Sequence, residues 1–212
     1  MHLDDFLELI YAGEIPPEPP TFLDQHGHCN ALYRAEQDEH IHMDYMVARS
    51  SCTERGMWAI VTMDWTAQLA EWIGNRKVLE IMAGRGWLAK ALSAHGVDIV
   101  ATDNNSWDER HSKSKCIWPV VPMGALEAVE HADDFDADIL IVSWPPYGDD
   151  TVCTACDAWK IEKPIVYIGE GDGGCNAPDR FWQHFEMLDD APDIPLMSWD
   201  GIHDHIFIGH YV

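Results

Sequence analysis

Lys77-Val-Leu-Glu-Ile-Met-Ala-Gly-Arg-Gly-Trp-Leu-Ala-Lys-Ala-Leu92 decides how the rest of the chain is read. Val78 to Ile81 has the length and apolar character of a short buried strand. Gly84 and Gly86 follow, and then Trp87, Leu88, Ala91 and Leu92 fall on one face of a helix. A strand, a glycine turn and a helix in that order build a place where backbone comes close to a ligand. Glycine is needed there because a Cβ would block the approach. Gly96 marks the helix stop, and Val97 to Ala101 reads as the next strand. Asp103 closes that strand, 17 residues beyond Gly86. A carboxylate in this position can accept hydrogen bonds from both hydroxyls of a ribose.

The stretch lacks the full Gly-x-Gly-x-x-Gly of a dinucleotide site, so a pyrophosphate is a poor match. Glu80, inside the end of the first strand, suits a ligand with a positive end and no phosphate. S-adenosylmethionine (SAM) is such a ligand. The alternative is an α/β domain whose glycines only pack helix on strand. Glu80-Ile-Met82-Ala83-Gly84-Arg-Gly86 resembles motif I of the class I SAM-dependent methyltransferases, Glu/Asp-x-Gly-x-Gly-x-Gly. The first glycine of that pattern is Met82 here, so the turn must carry a side chain where the family has none.

Composition narrows the rest. At 212 residues and 47% apolar content the chain is long enough for one domain with a sizeable core. It has no apolar run of the length a membrane span needs. Asp4, Asp5 and Glu8, with no basic leader, do not read as a signal peptide. A cytoplasmic location and six reduced cysteines are expected. The net charge of −24 opposes binding to phosphate backbones, which requires Lys and Arg to displace counterions. The one basic cluster, Arg110 to Lys115, reads as a solvated loop or as a contact for an anionic substrate.

Before the motif, Phe6, Leu7, Leu9 and Ile10 suggest a short amphipathic helix. Ile15-Pro-Pro-Glu-Pro-Pro20 favours an extended link. Gln25-His-Gly-His-Cys29 and His40-Ile-His42 read as part of an irregular cap or lid, with a metal site as the less favoured reading, since no second Cys lies close by. Residues 1–56 are assigned to this cap and 57–212 to the main domain. Thr62 and Asp64 are candidate caps for a helix carrying Trp65, Leu69, Trp72 and Ile73. Trp58 either lines the ligand pocket or is an ordinary core tryptophan.

After the motif, Cys116 to Val121 is expected as a third strand, and Met123 to Glu130 as a turn and helix. Asp138 to Ser143 is a buried strand that ends in Trp144-Pro-Pro-Tyr147. Strand ends on this edge of a parallel sheet form the ligand crevice. Two prolines fix the backbone and remove two donors, which frees their carbonyls to face a pocket, with the Tyr147 ring ready to stack on a planar group. The run resembles motif IV of the amino-group methyltransferases, Asp/Asn/Ser-Pro-Pro-Tyr/Phe. In that family the polar residue and the first proline carbonyl accept hydrogens from the target amine. Here the residue before the prolines is Trp144, whose indole N–H only donates. Ser143 lies one position earlier, and strand alternation would send the two side chains opposite ways.

Cys153-Thr-Ala-Cys156 reads as two packed thiols on a helix, with zinc or redox chemistry as the alternative. Pro164 to Ile168 is the fifth strand, followed by a loop in which Glu170 and Asp172 either orient a substrate or solvate the backbone. Arg180 to Leu188 reads as a helix. Pro195 to Trp199 and His205 to Tyr211 read as a terminal hairpin, with His203, Asp204 and His205 at its turn. A histidine there is a candidate general base.

The chain also resembles a narrower, largely uncharacterised group of methyltransferase-like proteins in Trp58-Ala-Ile60, Trp144 to Tyr147, Tyr167 to Glu170 with Gly173 to Cys175, and Gly201 to Asp204. The resemblance covers roughly residues 56–212 and implies an α/β fold. That fold is a Rossmann-like, doubly wound sheet of seven mostly parallel strands with a C-terminal antiparallel hairpin. It implies SAM as cofactor, held by Trp58, Glu80, Met82, Ala83, Gly84, Gly86, Asp103 and Asn104. The family often reads the adenine amino group with an acid at the position that is Gly124 here. Ser143, Trp144, Pro145, Pro146 and Tyr147 would shape the acceptor site. The acceptor is expected to be a small molecule or the amino group of a base. Two alternatives stand beside this: a non-catalytic SAM-binding or partner subunit, and an acidic protein that imitates nucleic acid.

Overall fold

The computed structural model describes residues 1–21, 39–106 and 115–212; the side chains of 39–42 are also left aside. The runs Gln25 to Cys29 and Arg110 to Ser114, and the His40 and His42 side chains, lie outside the described residues.

In chain order the elements are α1 (Leu3–Ala12), α2 (Glu39–Glu54), α3 (Met63–Ile73), β1 (Val78–Ile81), α4 (Trp87–Ala94), β2 (Ile99–Asp103), β3 (Val121–Pro122), α5 (Ala125–Glu130), β4 (Ile139–Ser143), α6 (Thr151–Ala158), β5 (Ile165–Glu170), α7 (Asp179–His184), β6 (Phe185–Met187) and β7 (Asp204–Tyr211). The seven strands form one sheet in the order β3-β2-β1-β4-β5-β7-β6. The first five are parallel, and β7 runs antiparallel to both β5 and β6. This is the expected α/β architecture. Strand order reverses between β1 and β4, and ligands of such sheets bind where the carboxyl ends diverge.

The sheet is buried on both faces because its central strands are apolar throughout. Along β4, Ile139 and Ile141 join one core with Val78, Val166 and Ile168. Leu140 and Val142 join the other with Leu79, Ile81 and Tyr167. The period-two alternation of side chains produces this division.

Segment 24–56, expected to be irregular, contains a 16-residue helix over Glu39–Glu54. Tyr45, Ala48 and Cys52 of α2 and Phe6 and Ile10 of α1 are buried in the same core as the sheet. α1 ends in a left-handed Gly13 (φ 72°), and the Gly13 and Glu14 N–H groups return to the Ile10 and Leu9 carbonyls, which satisfies the last turn. Lys90 of α4 reaches the Gly13 carbonyl (2.6 Å) and the Glu14 carboxylate (2.7 Å). For α3, Asp64 accepts the Trp65 N–H at 2.8 Å, whereas Thr62 makes no capping bond.

Three sequence expectations are corrected. The third strand covers only Val121–Pro122, not Cys116 to Val121. Pro119 has no N–H to give a ladder, and Ile117 donates instead to the Arg85 carbonyl at 3.0 Å. The helix expected over Arg180 to Leu188 stops at His184. Phe185 to Met187 forms β6, which pairs with Tyr211 to Gly209. Gly209 allows this, since a Cβ there would collide with the Glu186 carbonyl. The hairpin is therefore β6–β7, and Pro195 to Trp199 is not a strand.

Candidate active site

The bend after β1 is built by sequence and then braced by β2. Met82, Gly84 and Gly86 all take positive φ, at 56°, 56° and 81°. For Met82 this left-handed backbone costs roughly 1–2 kcal/mol, so the turn carries a side chain in a conformation that glycine adopts freely. Ala83 N–H donates to the Thr102 carbonyl (3.0 Å), and Gly84 N–H to Asp103 Oδ2 (2.8 Å). Asp103 Oδ1 accepts the Asn105 N–H at 2.6 Å. Asp103 is thus a strut between the bend and the end of β2.

A cleft of about 620 Å³ opens at this edge, within the range of small-molecule sites. Trp58, Met82, Gly84, Asp103, Asn104, Ser143, Trp144 and Pro146 border it. A smaller recess of about 50 Å³ shares part of this wall and is lined by Trp58, Glu80, Met82, Ala83, Gly84, Ser143 and Trp144 among others. At Gly84 an added Cβ would meet no atom within 4 Å. At Gly86 it would meet Trp118 Cβ at 2.8 Å. The two glycines that look alike in sequence therefore differ: Gly84 faces the cleft, and Gly86 lets the Trp118 segment pack on the turn.

Glu80 is 1% exposed, and its Oε2 has no hydrogen-bond partner. Burial, aided by the charge of Asp103, pushes its carboxyl up to about 8, against the pull of the Ala89 N–H on α4. At neutral pH it is mostly a neutral acid with an unused oxygen, in a recess next to an aromatic wall.

The far wall is aromatic. Trp144, like Met82, is left-handed (φ 54°). This breaks the strand alternation, so Ser143 and Trp144 both border the cleft instead of pointing opposite ways. Trp144 lies nearly parallel to Trp58, with ring centroids 6.4 Å apart and planes at 24°. Trp58 is 43% exposed and is a wall residue, not a core tryptophan. The first proline carbonyl does not serve the pocket as expected. Pro145 is buried, and its carbonyl accepts the Ala177 N–H at 3.2 Å. Tyr147 is 66% exposed and lies off the cleft lining.

Sequence reasoning missed several residues that border the cleft: Arg85, Ala125, Cys175 and Asn176. Arg85 is 2% exposed, and Gly56 makes room for its stem, since a Cβ there would lie 2.9 Å from Arg85 Cδ. Asn176 pairs with Pro146 in an isolated bridge and accepts the Glu170 N–H at 3.2 Å. The only signal for it was its place after the Gly-Gly-Cys run. Ala125 borders the cleft one residue after Gly124.

Glu170 is buried and does not solvate its loop, whereas Asp172 is exposed. Glu170 accepts the Cys175 N–H (2.7 Å) and the His203 N–H (2.9 Å). Burial raises its carboxyl, but the Cys175 thiol, these two N–H groups and the His203 side chain together hold it below the usual range. His203 and His205 are exposed and border neither cavity. Cys153 and Cys156 are buried in α6 and form no disulfide. Burial pushes both thiols up, away from the thiolate that a metal or redox centre needs. No helix among the described residues is long and apolar enough to cross a membrane.

No family model and no curated protein matches the chain. Solved structures do. One is the 1,6-didemethyltoxoflavin-N1-methyltransferase of Burkholderia thailandensis, with bound 1,6-didemethyltoxoflavin and S-adenosylhomocysteine. It is 16% identical, covers 93% of this chain and 94% of that one, and has a TM-score of 0.45. A SAM-dependent methyltransferase from Archaeoglobus fulgidus is 14% identical, over 71% and 95%, with a TM-score of 0.40. The mitomycin 7-O-methyltransferase MmcR is 11% identical, over 98% and 67%, with a TM-score of 0.44. These structural neighbours are methyltransferases with differing substrates. At such identities the chemistry of the site rests on its own residues.

Proposed function

We propose that this chain is a SAM-dependent methyltransferase acting on a small-molecule or nucleobase acceptor. The observation that carries it is the cradle at the switch point. Gly84 presents open backbone to the cleft, Asp103 stands at the end of β2 beside it, and Glu80, with one buried oxygen unpartnered, lines the adjoining recess. These residues fit the cofactor. Asp103 would take the ribose hydroxyls, Asn104 would border the adenine, and Glu80 would interact with the amino acid end, through water or backbone. When bound, the cofactor supplies a methyl group already activated on a sulfonium. What the chain contributes is placement: Ser143 and Trp144 bound the space in which an acceptor lines up with that methyl. Alignment of this kind supplies most of the advantage in such a transfer. Residues 57–212 make up the transferase in this reading, and residues 1–56 cap it.

Calorimetry with SAM tests the reading, with Asp103→Ala as control. Binding that the substitution weakens is expected; no heat at millimolar SAM would refute it.

One observation favours a second reading, a SAM-binding subunit without turnover. Trp144 stands where amino-group methyltransferases have a hydrogen-bond acceptor, and its indole cannot accept. Production of S-adenosylhomocysteine against a panel of acceptors separates the two.

A further inference from the structure

Asp204 opens β7 directly opposite Glu170 at the end of β5. It is 3% exposed, and both carboxyl oxygens are buried with no hydrogen-bond partner. A buried carboxyl left this way is costly and calls for an explanation. Its own backbone is well held, by Ser198 Oγ at 3.0 Å from the Asp204 N–H. The side chain is what lacks a role. The Trp144 indole N–H, also buried and without a partner, is the donor that acts on it. The indole is near enough to pull the carboxyl down, though short of bonding geometry.

The groups around Asp204 limit what it can do. From β5 it meets Glu170, whose charge together with burial pushes it up to about 8, and Tyr167. From the loop after β5 it meets Cys175. His203, on its own segment, faces Glu170 at 3.6 Å. Glu170 already accepts two backbone N–H groups, and the Tyr167 hydroxyl donates to the Glu170 carbonyl at 3.0 Å. Trp144 alone among these neighbours offers an uncommitted donor.

We propose that Asp204 is a positioning residue of the acceptor wall. It faces the Trp144 indole N–H and so holds the Trp144 ring toward Trp58 and the cleft, and the acceptor that stacks on this wall is a flat aromatic ring. The inference deepens the transferase reading and rests on it for the word acceptor. Three observations meet in it. Trp144 has a left-handed backbone that does not fix its own ring by strand geometry. Trp58 and Trp144 offer nearly parallel faces. Pro146 extends the same apolar wall. Ionised Asp204 accepts the indole hydrogen in a charge-assisted bond, the stronger kind, so the wall is firmer above the carboxyl's titration than below it.

The test uses quinoline, uncharged over the range studied, with cyclohexanol as a non-planar control. Each is titrated into the full chain at pH 6.5 and pH 9 with and without S-adenosylhomocysteine, followed by tryptophan fluorescence and calorimetry. Quinoline is expected to bind, about fivefold more tightly at the higher pH, and cyclohexanol not to bind. Asp204→Asn, whose amide oxygen still accepts, keeps quinoline binding and loses the pH dependence. Asp204→Leu weakens quinoline by about tenfold and leaves S-adenosylhomocysteine affinity unchanged. Should the leucine variant fail to fold, Trp144→Phe keeps a ring, deletes the donor and is expected to lose the pH dependence. Quinoline that does not bind, or a pH dependence that survives in Asp204→Asn or Trp144→Phe, overturns the proposal. If quinoline behaves as stated and S-adenosylhomocysteine never binds, the cofactor reading falls and the aromatic wall stands.

Discussion

Two carboxyl pairs flank β4 on the same sheet edge, and they are built alike. On one side Asp103 is tied down by two backbone N–H groups while Glu80, beside it, is buried with an oxygen unused. On the other side Glu170 is tied down by two backbone N–H groups while Asp204, beside it, is buried with both oxygens unused. In each pair the free member is pushed up to about 8 by burial and by its anchored neighbour. Each side also has a bulky left-handed residue at a strand end, Met82 and Trp144. The difference lies in what the free carboxyl faces. Glu80 borders open recess, whereas Asp204 is shut behind an indole. In the proposed reading, one pair would meet a ligand, and the other would hold a wall that meets one.

The sharpest way to break this comparison is to remove the two anchors in turn. Asp103→Ala should weaken SAM by about a hundredfold, the scale of two lost charge-assisted hydrogen bonds. Glu170→Ala should leave SAM affinity within about threefold and instead loosen the loop at Cys175 and the turn at His203. Equal losses of SAM affinity in both variants would show that the two sides do not divide the labour as described.

The free members should resemble one another in a thermal titration. A carboxyl raised on folding leaves the folded chain holding a proton that the unfolded chain has released. Stability from this source is full below the ordinary carboxylate range, near 4.5 for Glu80 and 3.8 for Asp204, and is lost as pH rises to about 8. Tm should fall across that window. Glu80→Gln and Asp204→Asn should each flatten part of the fall, by a few degrees. A Tm independent of pH between 5 and 8 in the wild type would contradict both burials.

A further contrast concerns the paired glycines. Gly86→Ala puts a Cβ against Trp118 at positive φ and should cost about 2–3 kcal/mol by chemical denaturation. Gly84→Ala meets no neighbour and should cost about 1 kcal/mol, from φ alone. Gly84→Ala should nevertheless be the one that lowers SAM affinity. The reverse order would exchange the roles of the two positions.

The letters around residues 77–103 carried the site's first half because local pattern and tertiary role agree there. The strand, the bend, the helix and the closing acid are each specified by neighbours in sequence. Gly84 and Gly86 mark the limit of that legibility, since only the folded chain shows which of them has Trp118 on top of it. The second half depended on long-range pairing. Phe185 to Met187 continues a helical period yet becomes a strand because β7 and Gly209 offer it an edge. Ser143 and Trp144 obey alternation on paper and escape it through one dihedral angle. Asp204 read as part of a surface turn, and its role emerges only from the strand register that brings it to Glu170 and from the indole above it.

Glu80 and Asp204 also change how the acidic character of this protein is counted. A tally of −24 treats every carboxyl as ionised, but near neutrality the folded chain keeps two of those protons inside. The folded molecule should migrate in an electric field as a weaker anion than its composition implies, and one of the missing negative charges, that of Glu80, is withheld from the recess beside the bend.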